Sequence, residues 1–174
     1  MNRNWYAVYT RPQAEKKVSA LLNKRKIENY LPLNRVYFGQ GSRRKLVQEP
    51  LFPTFVFVYL SEAELLEIRR ISDILNFVYW LGKPAVIKEQ EIENIAHFTN
   101  QYFNILVEKT PVHSGGMIRI SHEPSLKVDG EVMTVKNTRV RLTLPSLGFA
   151  ITAESQTEAV EALRFKKEGP AVFN

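Results

Sequence analysis

The sequence predicts an α+β fold: an amino-terminal α/β sandwich joined by a linker to a small carboxy-terminal β-barrel. Three observations indicate it. Strand-like and helix-like segments alternate through the first part of the chain, the apolar periodicity is lost in the next segment, and short alternating strands separated by turns follow. We therefore expect a first domain at residues 1–104, a linker at 105–116 and a barrel at 117–174.

The composition excludes several classes of protein. The 174 residues are 44% hydrophobic and 24% charged, which is typical of a globular chain. No apolar run reaches the ~18 residues of a membrane-spanning helix, so no membrane partner is expected. The amino terminus lacks the apolar core of a secretory signal, and the absence of cysteine excludes disulfides and thiolate zinc sites. These features favour a cytoplasmic location.

The formal net charge of +6 is concentrated near the amino terminus. Residues 1–50 contain 11 Lys and Arg against 3 Asp and Glu, a net +8, whereas the remainder carries 13 against 15, a net −2. This asymmetry favours a polyanionic partner such as nucleic acid, although a merely solvated basic surface also fits it.

The first strand and helix have clear sequence signals. Residues 5–10 are aromatic and β-branched, which predicts a strand. Thr10 and Gln13 have the spacing of a capping box, which predicts a helix ending near Arg25 or Lys26.

Turn residues and periodicity predict the rest of the first domain. The segments 28–38 and 39–42 predict a hairpin that projects from the body and carries a basic flank. Ser61 and Glu64 form a second capping box. The elements expected after it are a helix at 61–71, a strand at 75–80 and a helix at 88–103.

The longest apolar strand lies within QEPLFPTFVFVYL at residues 48–60. Phe55, Phe57 and Tyr59 alternate with aliphatic residues, so both faces of the strand are apolar. Such a strand is either buried at the centre of a layered fold or has one face that awaits a partner.

The last part of the chain changes class. Its turns contain Glu123-Pro124, Asp129-Gly130 and the segment 145–148, and regular short strands between turns predict a barrel. The strands are expected at 117–121, 130–136, 139–144 and 149–153, with a closing helical turn at 156–164.

Residues for catalysis or metal binding are not grouped in this sequence. His97, His113 and His122 have no partner at metal-ligand spacing, and no phosphate-binding glycine motif or nucleophile elbow is present. We therefore expect no enzymatic activity, no cofactor and no metal site.

Two candidate surfaces remain. The basic residues considered are Arg11, Lys17, Arg43, Arg44, Lys45, Arg69 and Arg70. The aromatic residues considered are Tyr9, Phe52, Phe55, Phe57 and Trp80. The hairpin cations fit either a solvated loop or a nucleic-acid contact, and the two arginines at the end of the second helix also complement its dipole. Aromatic side chains serve protein interfaces and base stacking alike.

Three segments carry a resemblance to a known family: WYAVYTRPQAEKKV, EPLFPTFVFV and NFVYWLGKPAVI, with VDGEV further on. Together they resemble the NusG family of transcription elongation and antitermination factors, and in particular its RfaH-like and UpxY-like branch. The resemblance covers nearly the whole chain. It implies an NGN-type first domain and a KOW-type barrel, although of the family's G-P-L-x-G-x-x-G pattern only Pro124 and Gly130 are present here.

The resemblance also implies a mechanism. The first domain would bind the clamp helices of RNA polymerase through Tyr9, Phe52, Phe55, Phe57, Trp80, Ile92 and Ile95. Arg11 and Lys17 would face the non-template DNA strand, and the basic hairpin would touch upstream DNA. The barrel would recruit a small-subunit ribosomal protein or a termination factor, and the protein is expected to be a monomer that suppresses pausing and termination at specific operons. The alternative is a stand-alone RNA- or ribosome-binding KOW protein. The resemblance also leaves open whether the barrel can refold into a helical hairpin that covers the polymerase-binding surface.

Overall fold

The computed structural model describes residues 2–110, 125–128, 131–136 and 139–154. It divides the chain into two compact units, one ending at Phe103 and the other beginning at Asn104. The first unit mixes strands and helices, and the described part of the second is built of strands, so the predicted α+β class is confirmed.

The elements of the first unit follow the predicted alternation. Its strands are β1 (Arg3–Thr10), β2 (Asn29–Tyr30), β3 (Leu33–Phe38), β4 (Lys45–Pro50), β5 (Phe55–Ser61), β6 (Ile74–Phe77), β7 (Tyr79–Trp80), β8 (Lys83–Pro84) and β9 (Val86–Ile87). Its helices are α1 (Glu15–Lys24), α2 (Leu65–Ile68) and α3 (Glu89–Gln101).

The main sheet is centred on β1 and β5. Its strand order is β2-β5-β1-β6, and β9 also pairs with β1. One face of this sheet forms a core with the first two helices, because every second residue of β1 and β5 is large and apolar. The buried members of that core are Tyr6, Val8, Val18, Leu22, Val56, Val58, Leu60, Ile68, Ile71, Ile74 and Phe77.

The other face of the sheet, here called the α3 face, carries aromatic cross-strand pairs. Antiparallel pairing places Trp5 opposite Tyr59 and Tyr9 opposite Phe55, and directly opposed residues share a face. The helix α3 contacts this face at its β2 edge, where the Tyr30 hydroxyl lies 3.5 Å from Thr99 Oγ1. The predicted central strand is therefore buried against α1 and α2 on one face, and on the other face its Phe57 is buried against the rings of Tyr30 and Phe52.

Two hairpins extend from the sheet. β3 and β4 form a two-stranded sheet joined by a 3-10 turn at Gly41–Arg43, as the glycine-rich turn predicted. Gly39 in this turn has φ +91°, and a Cβ there would lie 2.7 Å from the Arg43 carbonyl oxygen, so only glycine fits. β7 and β8 form the second, shorter hairpin.

Both predicted capping boxes differ from the observed helix starts. Thr10 stays in β1, its hydroxyl bonds to the Arg11 carbonyl, and α1 begins at Glu15 without a side-chain cap. Gln13 adopts φ +64°, so the segment before α1 is a turn. The α1 carboxyl end at Lys24 agrees with the prediction within two residues.

The second predicted helix is much shorter than expected. α2 spans only Leu65–Ile68 and does not reach Ile71. Ser61 ends β5, and the Glu64 carboxylate accepts hydrogen bonds from its backbone N–H at 2.8 Å and its hydroxyl at 2.7 Å. Of the two bonds of a capping box, the one from the Ser61 backbone N–H to the Glu64 carboxylate is therefore present, and it lies between the end of β5 and the start of α2.

The second unit has a five-stranded antiparallel sheet in the order β10-β14-β13-β12-β11. Its strands are β10 (Leu106–Lys109), β11 (Ser125–Val128), β12 (Glu131–Lys136), β13 (Arg139–Leu144) and β14 (Phe149–Glu154). In β13, Val140, Leu142 and Leu144 are buried with the two-residue period that predicted a strand.

Two predictions for this part need correction. Residues 105–116 were expected to be a linker, but Leu106–Lys109 pairs with β14 as a strand of the second sheet. Ser125–Val128 is a strand that the turn-rich sequence did not predict, because it lies between two turn signals. The expected strand at 117–121, the helical turn at 156–164 and the linker residues 111–116 lie outside the described residues.

Candidate interaction surfaces

The open end of the α3 face exposes an aromatic pair. Tyr9 and Phe55 are opposed across β1 and β5, with ring centroids 4.7 Å apart at an interplanar angle of 55°. The Tyr9 side chain is 38% exposed and Phe55 is half-buried, whereas Phe57, one pair further along the strands, is fully buried. A partly exposed aromatic pair at the rim of this face is suited to contact with apolar side chains of a partner.

The seven aromatic and apolar residues that the resemblance assigns to partner binding are here called the aromatic seat. Four of them are buried in the core of the first unit. Phe52 and Phe57 meet edge to face with centroids 5.9 Å apart, at 3% and 0% exposure. Ile92 and Ile95 of α3 are also buried. These four side chains cannot form a contact surface in this conformation; they support one from beneath. The helical spacing of the two isoleucines is equally the signal of a helix face that packs on a core.

Trp80 lies in the β7–β8 hairpin and is exposed. Its neighbours Tyr79 and Leu81 are exposed too, and sequence reasoning had not singled them out. The sequence signal that could have found them is Gly82 between two apolar stretches, which is typical of a two-residue hairpin turn, and Leu81 and Gly82 both have the positive φ of such a turn.

Arg69 is exposed and contacts this same region. Its guanidinium hydrogen-bonds the Tyr79 hydroxyl and lies 5.7 Å from the Phe77 ring centroid. Arg70, next to it, is exposed after α2. The two arginines, which the sequence grouped, therefore differ in their contacts.

The loop before α1 and the first turn of that helix place two predicted cations, Arg11 and Lys17, close to Asp73. Lys17 Nζ is 2.7 Å from Asp73 Oδ2, and the Arg11 backbone N–H donates to the Asp73 carbonyl at 3.0 Å. The Arg11 side chain is exposed. Asp73 thus neutralises one of the two cations, a contact between distant segments that spacing could not predict.

The basic hairpin is fixed to α3 by alternating cations and rings. The Arg35 guanidinium lies 4.0 Å from the Phe103 ring centroid, Phe103 stacks on Tyr37 at 5.4 Å, and Arg44 lies 4.2 Å from the Tyr37 ring. Arg35 also donates to the Thr99 carbonyl at 2.9 Å. These contacts orient the hairpin and hold Arg44 against a ring.

Two hairpin cations remain at the turn. Arg43 and Lys45 are exposed, one at the end of the 3-10 turn and the other at the start of β4. Lys16 of α1 donates to the Gln48 carbonyl at 2.8 Å and so braces the base of the same hairpin. A braced hairpin with exposed cations at its end can meet a polyanion at low conformational cost.

The described titratable groups do not form a catalytic site. Hydrogen bonds from Ser61 lower the pKa of Glu64, and burial raises the pKa of the Tyr30 and Tyr102 hydroxyls. Among the residues that the structure describes, no group of three metal-ligating side chains is found. No helix in this part of the chain is long and apolar enough to cross a membrane. His113 and His122 lie outside it.

Comparisons with known proteins agree with this arrangement. A family model described as "NusG: Transcription termination factor nusG" matches residues 3–96. Transcription termination/antitermination protein NusG from Streptococcus pyogenes serotype M3 is 23% identical over 93% of this chain and 97% of its own length, and the serotype M1 protein gives the same figures. A solved structure of Thermotoga maritima NusG superposes with a TM-score of 0.50 at 17% identity, covering 88% of this chain and 93% of that one, which supports a shared fold. The chain therefore belongs to the NusG family of transcription termination and antitermination factors, which are not enzymes, as the sequence predicted.

Proposed function

We propose that this protein is an elongation and antitermination factor whose first domain binds the clamp helices of RNA polymerase. The observation that carries the proposal is the aromatic pair at the rim of the α3 face, in which Tyr9 is exposed and Phe55 half-buried. Trp80 and Leu81 add exposed apolar surface on the neighbouring hairpin. Membership of the NusG family supports polymerase as the partner.

The seat that we propose is narrower than the sequence predicted. Its contact residues are Tyr9, Phe55 and Trp80, while Phe52, Phe57, Ile92 and Ile95 support it from the core. Aromatic residues dominate the energy of protein interfaces because they bury a large area with few torsions to fix. Loss of one such ring typically weakens binding by ten-fold or more, on the order of 2 kcal/mol.

A pull-down with purified RNA polymerase tests this seat. We expect Phe55→Asp and Tyr9→Ser to lose retention, whereas Leu66→Asp, a change at an exposed apolar residue of α2, keeps it. Urea unfolding of each variant verifies that the fold is intact. Equal retention of all three variants would refute the aromatic seat.

We further propose that Arg11 and Lys17 contact the non-template DNA strand and that Arg43 and Lys45 of the hairpin contact upstream DNA. Arg11 lies two residues after Tyr9, so one surface could hold polymerase and DNA together. Replacing Arg11 and Lys17 with Gln should make the slope of log K against log salt for single-strand binding shallower by about 0.7 per lost phosphate contact. An unchanged slope would show that neither side chain meets a phosphate.

For the second unit we propose a KOW-type barrel that recruits a small-subunit ribosomal protein or a termination factor. The described five-stranded antiparallel sheet supports a barrel, and family membership supports its type. A place in the RfaH-like or UpxY-like branch, service to specific operons, a monomeric state and a cytoplasmic location belong to the same proposal.

The second candidate function is a stand-alone RNA- or ribosome-binding protein, which the basic hairpin favours. A paused-transcription assay with purified polymerase separates the two candidates. An elongation factor shortens pauses and increases read-through of terminators. A stand-alone RNA-binding protein binds structured RNA and leaves the pausing of the polymerase unchanged.

A further inference from the structure

The turn that leads into β5 has an unfavourable backbone conformation at Thr54. Its φ is +68°, in the left-handed region, where a β-branched residue is a genuine outlier. The Phe55 N–H donates to the Phe52 carbonyl at 3.2 Å, and Pro53 precedes Thr54. These are the features of a type II turn, whose third position normally takes glycine.

Threonine by itself favours a type I turn rather than the observed type II turn. A type I turn over the same four residues gives its third position a negative φ, which threonine adopts without strain, and it accepts proline at the second position equally well. The two turns differ by a flip of the peptide between Pro53 and Thr54, which reverses the direction of the Thr54 N–H. Some group outside the turn must therefore hold that N–H.

The group that does so is the carboxylate of Glu15. Glu15 Oε1 accepts the Thr54 N–H at 2.7 Å, and the side chain is only 4% exposed. Glu15 lies in the first turn of α1, where the helix dipole favours a negative charge. The Thr54 carbonyl accepts the Thr10 N–H at 2.8 Å, so both backbone groups of Thr54 are bonded to other segments.

The turn sits directly beside the aromatic pair. Phe55 follows Thr54, and Tyr9 precedes the residue whose N–H reaches the Thr54 carbonyl. A flip of the peptide before Thr54 would remove the Glu15 bond, and with it the anchor that ties the residue before Phe55 to α1. We propose that Glu15 is a positioning residue: by holding Thr54 in the left-handed conformation it orients the Tyr9–Phe55 pair for the polymerase, an inference that rests on the proposed function.

A rescue design separates positioning from general stability. Glu15→Ala should lower polymerase affinity about 5- to 30-fold, the factor by which the cost of one left-handed residue shifts a two-state equilibrium. Glu15→Gln keeps an acceptor oxygen and should retain most of the affinity. Adding Thr54→Gly to Glu15→Ala should restore it, because glycine adopts the type II turn without the carboxylate.

Two readouts on the full chain make the outcomes distinct. Amide hydrogen exchange of Thr54, followed by NMR in the free protein, should accelerate in Glu15→Ala but not in Glu15→Gln; unchanged exchange would overturn the inference. Weaker polymerase binding that Thr54→Gly does not rescue would also overturn it, since the effect would then be one of helix stability. If the wild type shows the Thr54 protection but does not bind polymerase, the proposed function fails, and with it the assigned purpose of the turn.

Discussion

Removal of the Asp73 carboxylate should strengthen binding of single-stranded DNA. The carboxylate lies 2.7 Å from Lys17 Nζ and is 18% exposed, whereas the lysine is 75% exposed. A phosphate that binds Lys17 must therefore displace an existing partner. Asp73→Asn keeps the shape and removes the charge, so it should leave Lys17 free.

The magnitude follows from the exposure of the pair. An ion pair with one solvent-exposed partner is worth about 0.2 to 1 kcal/mol, because water screens it and the lysine loses rotamer freedom in it. If the whole of this is recovered on DNA binding, affinity rises by about 1.4-fold to about 5-fold. The slope of log K against log salt should steepen by up to about 0.7 for one added phosphate contact.

Fluorescence anisotropy with a labelled single-stranded oligonucleotide at several salt concentrations measures both quantities. Glu93→Gln is the matched control, since it removes one negative charge from an exposed position of α3. An Asp73→Asn affinity equal to that of Glu93→Gln would refute the reasoning. A gain that persists when Lys17→Gln is added would show that Asp73 acts through another group.

Three further outcomes are expected in the first unit. The pKa of Glu64 is lowered because Ser61 donates hydrogen bonds to its carboxylate. Its contribution to the free energy of unfolding is therefore present above its unfolded pKa and is lost as pH falls through the folded value. In urea titrations, the stability of Glu64→Gln should approach that of the wild type in acid. Gly39→Ala should speed amide exchange in β3 and β4, costing on the order of 1 to 2 kcal/mol locally, because its Cβ meets the Arg43 carbonyl. Phe57→Ala should lower the unfolding free energy by about 3 to 5 kcal/mol in denaturant titrations, since the ring is fully buried.

Local sequence signals predicted most of the first unit. The strand at 5–10, the carboxyl end of α1 and the β3–β4 hairpin depend on periodicity and turn residues, which act over a few positions. The α1 start was missed because Thr10 bonds to Thr54, a residue far along the chain. Likewise β10 is a strand because β14 pairs with it, and Leu106–Lys109 by itself has no strong strand signal.

The candidate surfaces show the same division between local and distant information. Alternation placed Phe55 and Phe57 on one face of β5, but it could not show that Phe57 is buried against Tyr30 and Phe52 while Phe55 stays half-buried at the rim. Composition located the cations near the amino terminus, yet their partners Asp73 and Tyr37 come from other elements. Burial and ion pairing depend on tertiary contacts, which spacing along the chain does not encode.

The carboxyl end of β1 connects the two proposed contacts. The Thr10 N–H binds the Thr54 carbonyl at 2.8 Å, and the next N–H, that of Arg11, binds the Asp73 carbonyl at 3.0 Å. One short segment therefore ties the turn that orients Phe55 to the loop that holds the partner of Lys17. Because the two bonds come from consecutive residues, a shift of Thr54 moves the apolar and the basic side of the surface together. If this surface binds a protein and a nucleic-acid strand together, the junction keeps the two contacts at a fixed distance. Less conformational entropy is then lost when both bind.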